Sequence, residues 1–203
     1  MNKQAFVTGG SGHVGANLIR LLIDNGWKVR CMVHKDERAF KGLNVELVKG
    51  SIVDSSFLEQ KMQGCYAVFH AAAIVGVENI DEDEMKKVNI EGTRAMCSAA
   101  LSSKIKRFIY FSSIHAFQQE PLDRKLTEER LLVTDSKSSQ YDLTKAGAEV
   151  EVKKAHKAGL YTIVLNPTGI LGPYDFKPSR MGQLLNNIMN QKMPLTINAG
   201  FNW

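Results

Sequence analysis

Thr8-Gly9-Gly10-Ser11-Gly12-His13-Val14-Gly15 stands between a short apolar run, residues 3–8, and a stretch in which Val14, Leu18, Leu21 and Leu22 recur at i, i+4, i+7 and i+8. The run reads as a strand and the recurrence as the stripe of an amphipathic helix. Asn25-Gly26 supplies the stop signal for that helix. Gly9, Gly12 and Gly15 are spaced G-x-x-G-x-x-G across the junction. At a strand–turn–helix boundary this spacing predicts a backbone that turns tightly and approaches a pyrophosphate. The phosphate charge would be met by free helix N–H groups and the helix dipole. A glycine-rich tight turn without a ligand is the alternative, which the placement disfavours.

Working outward, further strands are predicted at residues 28–33, 45–48, 66–70, 107–111 and 160–165. Helices are predicted at 55–62, 83–101 and 138–157, with Gly64 and Gly159 as terminators. After Asn166-Pro167 the pattern thins to a helix over 181–191 and a short strand at 195–197. Strand–helix alternation with nearly continuous apolar strands implies an α/β fold, a doubly wound parallel sheet covered on both faces.

The composition is that of an ordinary globular chain: 203 residues, 44% hydrophobic, 23% charged and 8% aromatic. Disorder, collagen and coiled coil are excluded on that basis. The length fits one large domain, or one domain and part of another. The longest nearly apolar stretch, residues 68–77, is too short for a bilayer, which takes about 20 residues. No secretory signal is read at the start. Cys31, Cys65 and Cys97 are odd in number and far apart, so core packing in a reducing cytoplasm is expected. The net charge is +5, but the basic runs are short and mixed, which argues against nucleic acid and leaves phosphorylated small molecules.

A dinucleotide site needs a second feature beyond the second strand, where an Asp or Glu would accept from a ribose 2′-hydroxyl. No acid stands at that tip. His34-Lys35 follows, with Arg38 nearby, and basic groups there would attract a 2′-phosphate. NADP is therefore favoured over NAD, although Asp36 and Glu37 partly cancel the charge.

Tyr141 and Lys145 lie four residues apart on one predicted helix face. An ammonium beside a phenol is expected to lower the phenol pKa and make it a usable acid/base. Upstream, Ser112-Ser113 ends a strand, where a hydroxyl could hold the same carbonyl oxygen. His70 and His115 lack a second ligand at metal spacing and read as structural or pocket-lining, and no metal site is expected. The acidic run at residues 81–84 reads as the cap of the long helix.

The set TGGSGHVG, HAAA (70–73), VNIEGT (88–93), FSS (111–113), YDLTK (141–145) and NPTGILGP (166–173) resembles the extended short-chain dehydrogenase/reductases. The nearest branch is the dihydroflavonol-reductase-like and NAD-dependent epimerase/dehydratase group. The resemblance implies a Rossmann-type dinucleotide domain over residues 1–175 and the incomplete start of a smaller substrate lobe over 176–203. It implies that Gly9, Gly12 and Gly15 hold the pyrophosphate, that Ala71 and Ala72 flank the cofactor near its ribose, and that Thr8, His13, Val14 and Ala73 also bind it. Asn89 would brace the active-site sheet. Asn166, Pro167, Thr168 and Ile170 would pass the nicotinamide, with Ser51 and Ile52 near adenine and His34 and Lys35 near the ribose phosphate. Ser113, preferred to Ser112, would polarise a carbonyl. Tyr141 would be the acid/base, and Lys145 would serve it and bind ribose.

Two departures stand out. Gly50 is followed by Ser51 rather than an acid, Asp54 coming later, and the usual V-Y-G after the serine is replaced by Ala116-Phe117-Gln118. The expected activity is NADPH-dependent reduction of a small carbonyl, or the reverse oxidation of an alcohol. A nucleotide-sugar epimerase/dehydratase with NAD, or a non-catalytic NADP-binding sensor or scaffold, are the alternatives. A homodimer through helices 83–101 and 138–158 is a family-level expectation.

Overall fold

A computed structural model describes residues 3–76 and 81–192. Strands β1 (Gln4–Thr8), β2 (Lys28–Val33), β3 (Val45–Lys49), β4 (Ala67–His70), β5 (Arg107–Phe111) and β6 (Thr162–Leu165) form one sheet in the order β3-β2-β1-β4-β5-β6. Every pairing is parallel. The order reverses beside β1, the switch point where ligands of open α/β sheets bind, outside the carboxyl ends of the strands. The glycine turn, His70, Ser112-Ser113 and Asn166 all follow strand ends on that edge.

Alternation along β1 makes the two-sided core. Phe6 joins Leu58, Met62, Met96, Phe108, Tyr110 and Val152 on one face, under helices α2 (Ser55–Met62), α4 (Gly92–Ser102) and α5 (Gln140–Lys157). Ala5 and Val7 join Ile19, Leu22, Cys31 and Phe40 on the other, under α1 (His13–Asp24). The period of two in a strand requires this division. All three cysteines are buried free thiols, and burial pushes each above its ordinary range.

The long helix expected over 83–101 is interrupted. It runs as α3 (Glu82–Lys86), a π turn (Lys87–Glu91) and α4. Asp81 caps its start, accepting from the Asp83 N–H at 2.9 Å, so the acidic run has the capping role expected of it. Helix α5 starts later than predicted, because Ser139 is its cap and accepts from the Asp142 N–H at 3.1 Å. Strand β6 is shorter than predicted and forms an edge, with Ile163 and Leu165 about two-fifths exposed. Helix α6 (Arg180–Met189) follows, and the strand expected at 195–197 lies outside the described residues.

Candidate functional site

At Gly9 and Gly15 the backbone after β1 leaves no room for a side chain. Gly9 has φ +73°, and a Cβ there would come within 2.5 Å of the Ala71 carbonyl carbon and the Ala72 nitrogen. A Cβ on Gly15 would lie 2.6 Å from the Gly10 Cα. These two glycines press the turn against the end of β4 and the helix against the turn. At Gly12 the only close neighbour is the Gly9 oxygen at 3.3 Å. Gly12 is also the N-cap of α1, and no side chain caps the helix or places an acid in its first turn. Uncapped N–H groups above a turn whose glycines let the backbone come close fit a phosphate diester. The residues present thus fit a dinucleotide.

The tip of β2 is less basic than its sequence suggests. Arg38 is held by Asp36, with Nε and Nη2 donating at 2.9 and 2.6 Å, and Asp36 is held well below the usual carboxylate range by that guanidinium. Lys49 pairs with Glu37 at 2.7 Å. His34 and Lys35 are exposed, and neither is in an ion pair among the described residues. Asp54 is the N-cap of α2, accepting from the Phe57 N–H at 3.0 Å, while Ser51 is exposed and Ile52 half-buried.

At the end of β4, His70 is fully buried between two hydroxyls. Its Nδ1 lies 2.7 Å from Thr8 Oγ1 and its Nε2 2.9 Å from Thr93 Oγ1. The backbone N–H of Ala72 donates to Thr8 Oγ1 at 3.3 Å. Asn89, in the π turn, bonds both backbone groups of Ile74, at 2.8 and 3.0 Å, and donates to Thr144 Oγ1 at 3.0 Å. It ties the chain after the half-buried Ala71–Ala73 to α5.

Burial, with a smaller effect from Lys145, pushes the His70 pKa down to about 3. An unfolded histidine titrates near 6.5. Between these values the unfolded chain binds more protons than the folded one, so stability falls as pH falls through this window. We expect His70 to account for a loss of about 3–5 kcal/mol on going from pH 7 to pH 3. Urea unfolding at several pH values measures it. A His70→Gln variant should lack that part of the slope, and an identical slope would refute the assignment.

Beyond β5, Ser113 Oγ accepts from the His115 N–H at 3.2 Å, and its hydroxyl faces the Tyr141 phenol. Ser112 Oγ is buried and has no partner among the described residues. Lys145 is buried, and its Nζ donates to the Phe111 carbonyl at 2.7 Å and, more loosely, to the Tyr110 hydroxyl at 3.5 Å. The three residues Ser113, Tyr141 and Lys145 are thus gathered at the end of β5. The expected lowering of the Tyr141 pKa is corrected. Burial pushes the phenol up, the Ser113 bond only opposes this, and Asp142 adds to the rise. The Lys145 ammonium is spent on Phe111 and Tyr110, and burial pushes its own pKa down to about 8 while Glu149 opposes the fall.

Between the start of α1 and the ends of β5 and β6 lies a cleft of about 520 Å³. His13, Val14, Asn166, Pro167 and Ile170 line it, with Asn17, Phe111 and Leu165, joining two motifs far apart in sequence. Ser113, Tyr141 and Lys145 are not in its wall, and Thr168 is exposed. The chain beyond β6 is clamped to α1. His13 Nε2 lies 3.1 Å from the Gly172 oxygen, Asn17 donates to the Pro173 oxygen at 2.8 Å, and Arg20 sits 3.8 Å over the Tyr174 ring. Sequence reading missed Asn17, Arg20 and Glu149. Glu149 is buried and accepts from Asn166 Nδ2 at 2.5 Å. Its signal was an acid one helical turn beyond Lys145, on the buried face of α5. Among the described residues no group of three His, Cys, Asp or Glu could hold a metal.

A parallel sheet of this order, a glycine-rich turn under a helix start and a serine, tyrosine and lysine beyond β5 define a short-chain dehydrogenase/reductase. The model of the 3-beta hydroxysteroid dehydrogenase/isomerase family matches residues 6–201, and the chain belongs to that family. A Synechocystis protein named "Putative dihydroflavonol 4-reductase" is 33% identical over 199 residues, 97% of this chain and 58% of that protein. The crystal structure of gox2253 is 32% identical, with a TM-score of 0.84 over 95% of this chain and 59% of that one. A short-chain dehydrogenase/reductase superfamily protein from Agrobacterium tumefaciens, solved with bound NAD, is 30% identical. Its TM-score is 0.67, over 80% of this chain and 48% of that one. The chain spans about half to three-fifths of the length of these relatives. No described helix is long and apolar enough to cross a membrane.

Proposed function

We propose that this chain is the cofactor-binding and proton-transferring part of an NAD(P)-dependent oxidoreductase that reduces a small carbonyl compound with NADPH. The observation that carries the reading is the gathering of Ser113, Tyr141 and Lys145 beyond β5, on the same edge of the sheet as the glycine turn. When bound, the nicotinamide would supply the hydride. The chain's own residues supply the rest. Ser113 accepts a backbone N–H, and its hydroxyl proton, which faces the Tyr141 oxygen here, would turn to a carbonyl oxygen. Tyr141, protonated at neutral pH, delivers its proton to the oxygen as charge develops, where a preorganised donor acts most strongly. Lys145, a buried ammonium one helical turn away and held by Phe111 and Tyr110 in the resting site, would favour the phenolate only as it forms. In reverse, the same groups would take a proton from an alcohol. Residues 176–192, with α6, are read as the start of a substrate lobe.

The choice of NADPH rests on exposed His34 and Lys35. A second reading, NAD with epimerase or dehydratase chemistry, is favoured by the Asp36 carboxylate, which neutralises Arg38, and by the NAD in the Agrobacterium structure. Fluorescence titration of this chain with NADPH and NADH separates them. We expect tighter NADPH binding, and a Lys35→Ala variant that weakens NADPH about 5- to 30-fold while sparing NADH, the worth of one charge-assisted contact. Tighter NADH binding would overturn the NADPH assignment. Binding of neither would remove the dinucleotide reading for this chain.

A further inference from the structure

Glu149 is a buried acid to which the proposed chemistry gives no part. It lies on α5 one helical turn beyond Lys145 and is 2% exposed. An acid so placed needs donors. One of its oxygens meets the exposed Lys153 at 3.7 Å. The other accepts from Asn166 Nδ2 at 2.5 Å. The second bond of that amide is explained by the end of β6. Past β5 the backbone goes on donating across the sheet, from the Ser112 N–H to the Leu165 carbonyl at 2.8 Å and from the Ile114 N–H to the Pro167 carbonyl at 3.2 Å. Pro167 has no N–H to return. The Asn166 side chain supplies the return bond, Nδ2 donating to the Ser113 carbonyl at 3.2 Å.

These contacts fix which way the amide faces. A backbone carbonyl can only accept, so the amide atom beside Ser113 is the nitrogen. That nitrogen has two protons, and Ser113 and Glu149 take both. The amide oxygen, Oδ1, is left without a partner among the described residues. Asn166 lines the cleft between α1 and the ends of β5 and β6. We propose that Glu149 is a positioning residue that holds the Asn166 amide this way round, so that the cleft wall carries an acceptor and selects a ligand that brings a donor. The identity of that ligand rests on the oxidoreductase reading, under which it is the carboxamide of a nicotinamide. A primary carboxamide can donate an N–H to Oδ1, whereas a carboxylate in its place can only accept. Without Glu149 one Nδ2 proton would be free to turn to the cleft, and the carboxylate would no longer be refused.

Two measurements test it. In the labelled 203-residue chain, NMR follows the exchange with water of the Asn166 side-chain amide, with Asn166→Asp for assignment. Glu149→Leu should speed the exchange of one of the two protons about tenfold or more, the worth of a charge-assisted bond. Glu149→Gln keeps an acceptor oxygen and should hold the exchange near that of the parent. Calorimetric titration then compares NADP with the analogous dinucleotide that carries nicotinic acid in place of nicotinamide. The parent should bind NADP at least about tenfold more tightly. Glu149→Leu should lose that preference and Glu149→Gln should keep it. A merely structural loss would weaken both ligands together and leave their ratio unmoved. Unchanged amide exchange in Glu149→Leu would overturn the proposal. So would a parent that binds the two dinucleotides equally, or an unmoved ratio in Glu149→Leu. If Glu149→Leu does not fold, the parent decides: Asn166 amide protons that exchange as fast as those of the exposed Asn187 overturn the hold. If the parent binds neither dinucleotide, the oxidoreductase reading falls, and the exchange measurement still decides the hold of Glu149 on Asn166.

Discussion

Replacing Tyr141 with Phe should reduce carbonyl turnover by about 10²–10⁴-fold, the usual worth of a positioned proton donor. Dinucleotide affinity should be unchanged. The phenol is half-buried, and the ring packs edge-on against His115 at a centroid distance of 6.3 Å, so Phe preserves the shape. What it removes is one O–H, which faces Ser113. The measurement is dinucleotide absorbance against a carbonyl substrate identified by screening. If turnover survives Tyr141→Phe, the proton comes from elsewhere and the proposed mechanism fails. If turnover vanishes while binding persists, the non-catalytic sensor or scaffold is eliminated.

The second large effect is expected at Gly9. Its φ of +73° costs a branched residue about 1–2 kcal/mol. A Cβ within 2.5 Å of the Ala71–Ala72 backbone forces either β4 or the turn to move, adding about 1–3 kcal/mol. Gly9→Val should therefore destabilise the fold by about 2–5 kcal/mol and abolish dinucleotide binding. Gly12→Ala provides the contrast. Its new methyl meets only the Gly9 oxygen at 3.3 Å, so the fold should survive while binding weakens. Urea unfolding and fluorescence titration read the two effects separately. A Gly9→Val protein as stable as the parent would show that the contact at Ala71 is not tight.

Much of this was legible in the chain. A strand end, three spaced glycines and an apolar stripe are local signals, and they located the turn and α1 within a residue or two. Tyr141 and Lys145 could be placed on one helix face because four residues make about one turn. The direction of the Tyr141 pKa could not be read that way. It depends on how deeply α5 is buried and on the Phe111 carbonyl that claims the ammonium, a contact across 34 residues. The basic tip of β2 was visible, but the bond that ties Arg38 to Asp36 was not. The clamp of Gly172, Pro173 and Tyr174 on α1 joins residues more than 150 apart, and nothing local announces it. His70 was read as structural, and it is buried and hydrogen-bonded on both nitrogens.

The turn at Lys87–Glu91 carries one more implication. A π turn is an α-helix holding one residue too many. Removing a single residue from it would relax the winding into a regular helix and improve its local geometry. Yet that deletion would rotate one side of the helix against the other by about 100°. Asn89 could not then reach both Ile74 and Thr144. The helix and the site thus pull in opposite directions over one residue, and a one-residue deletion here should yield a well-folded chain with a loosened site.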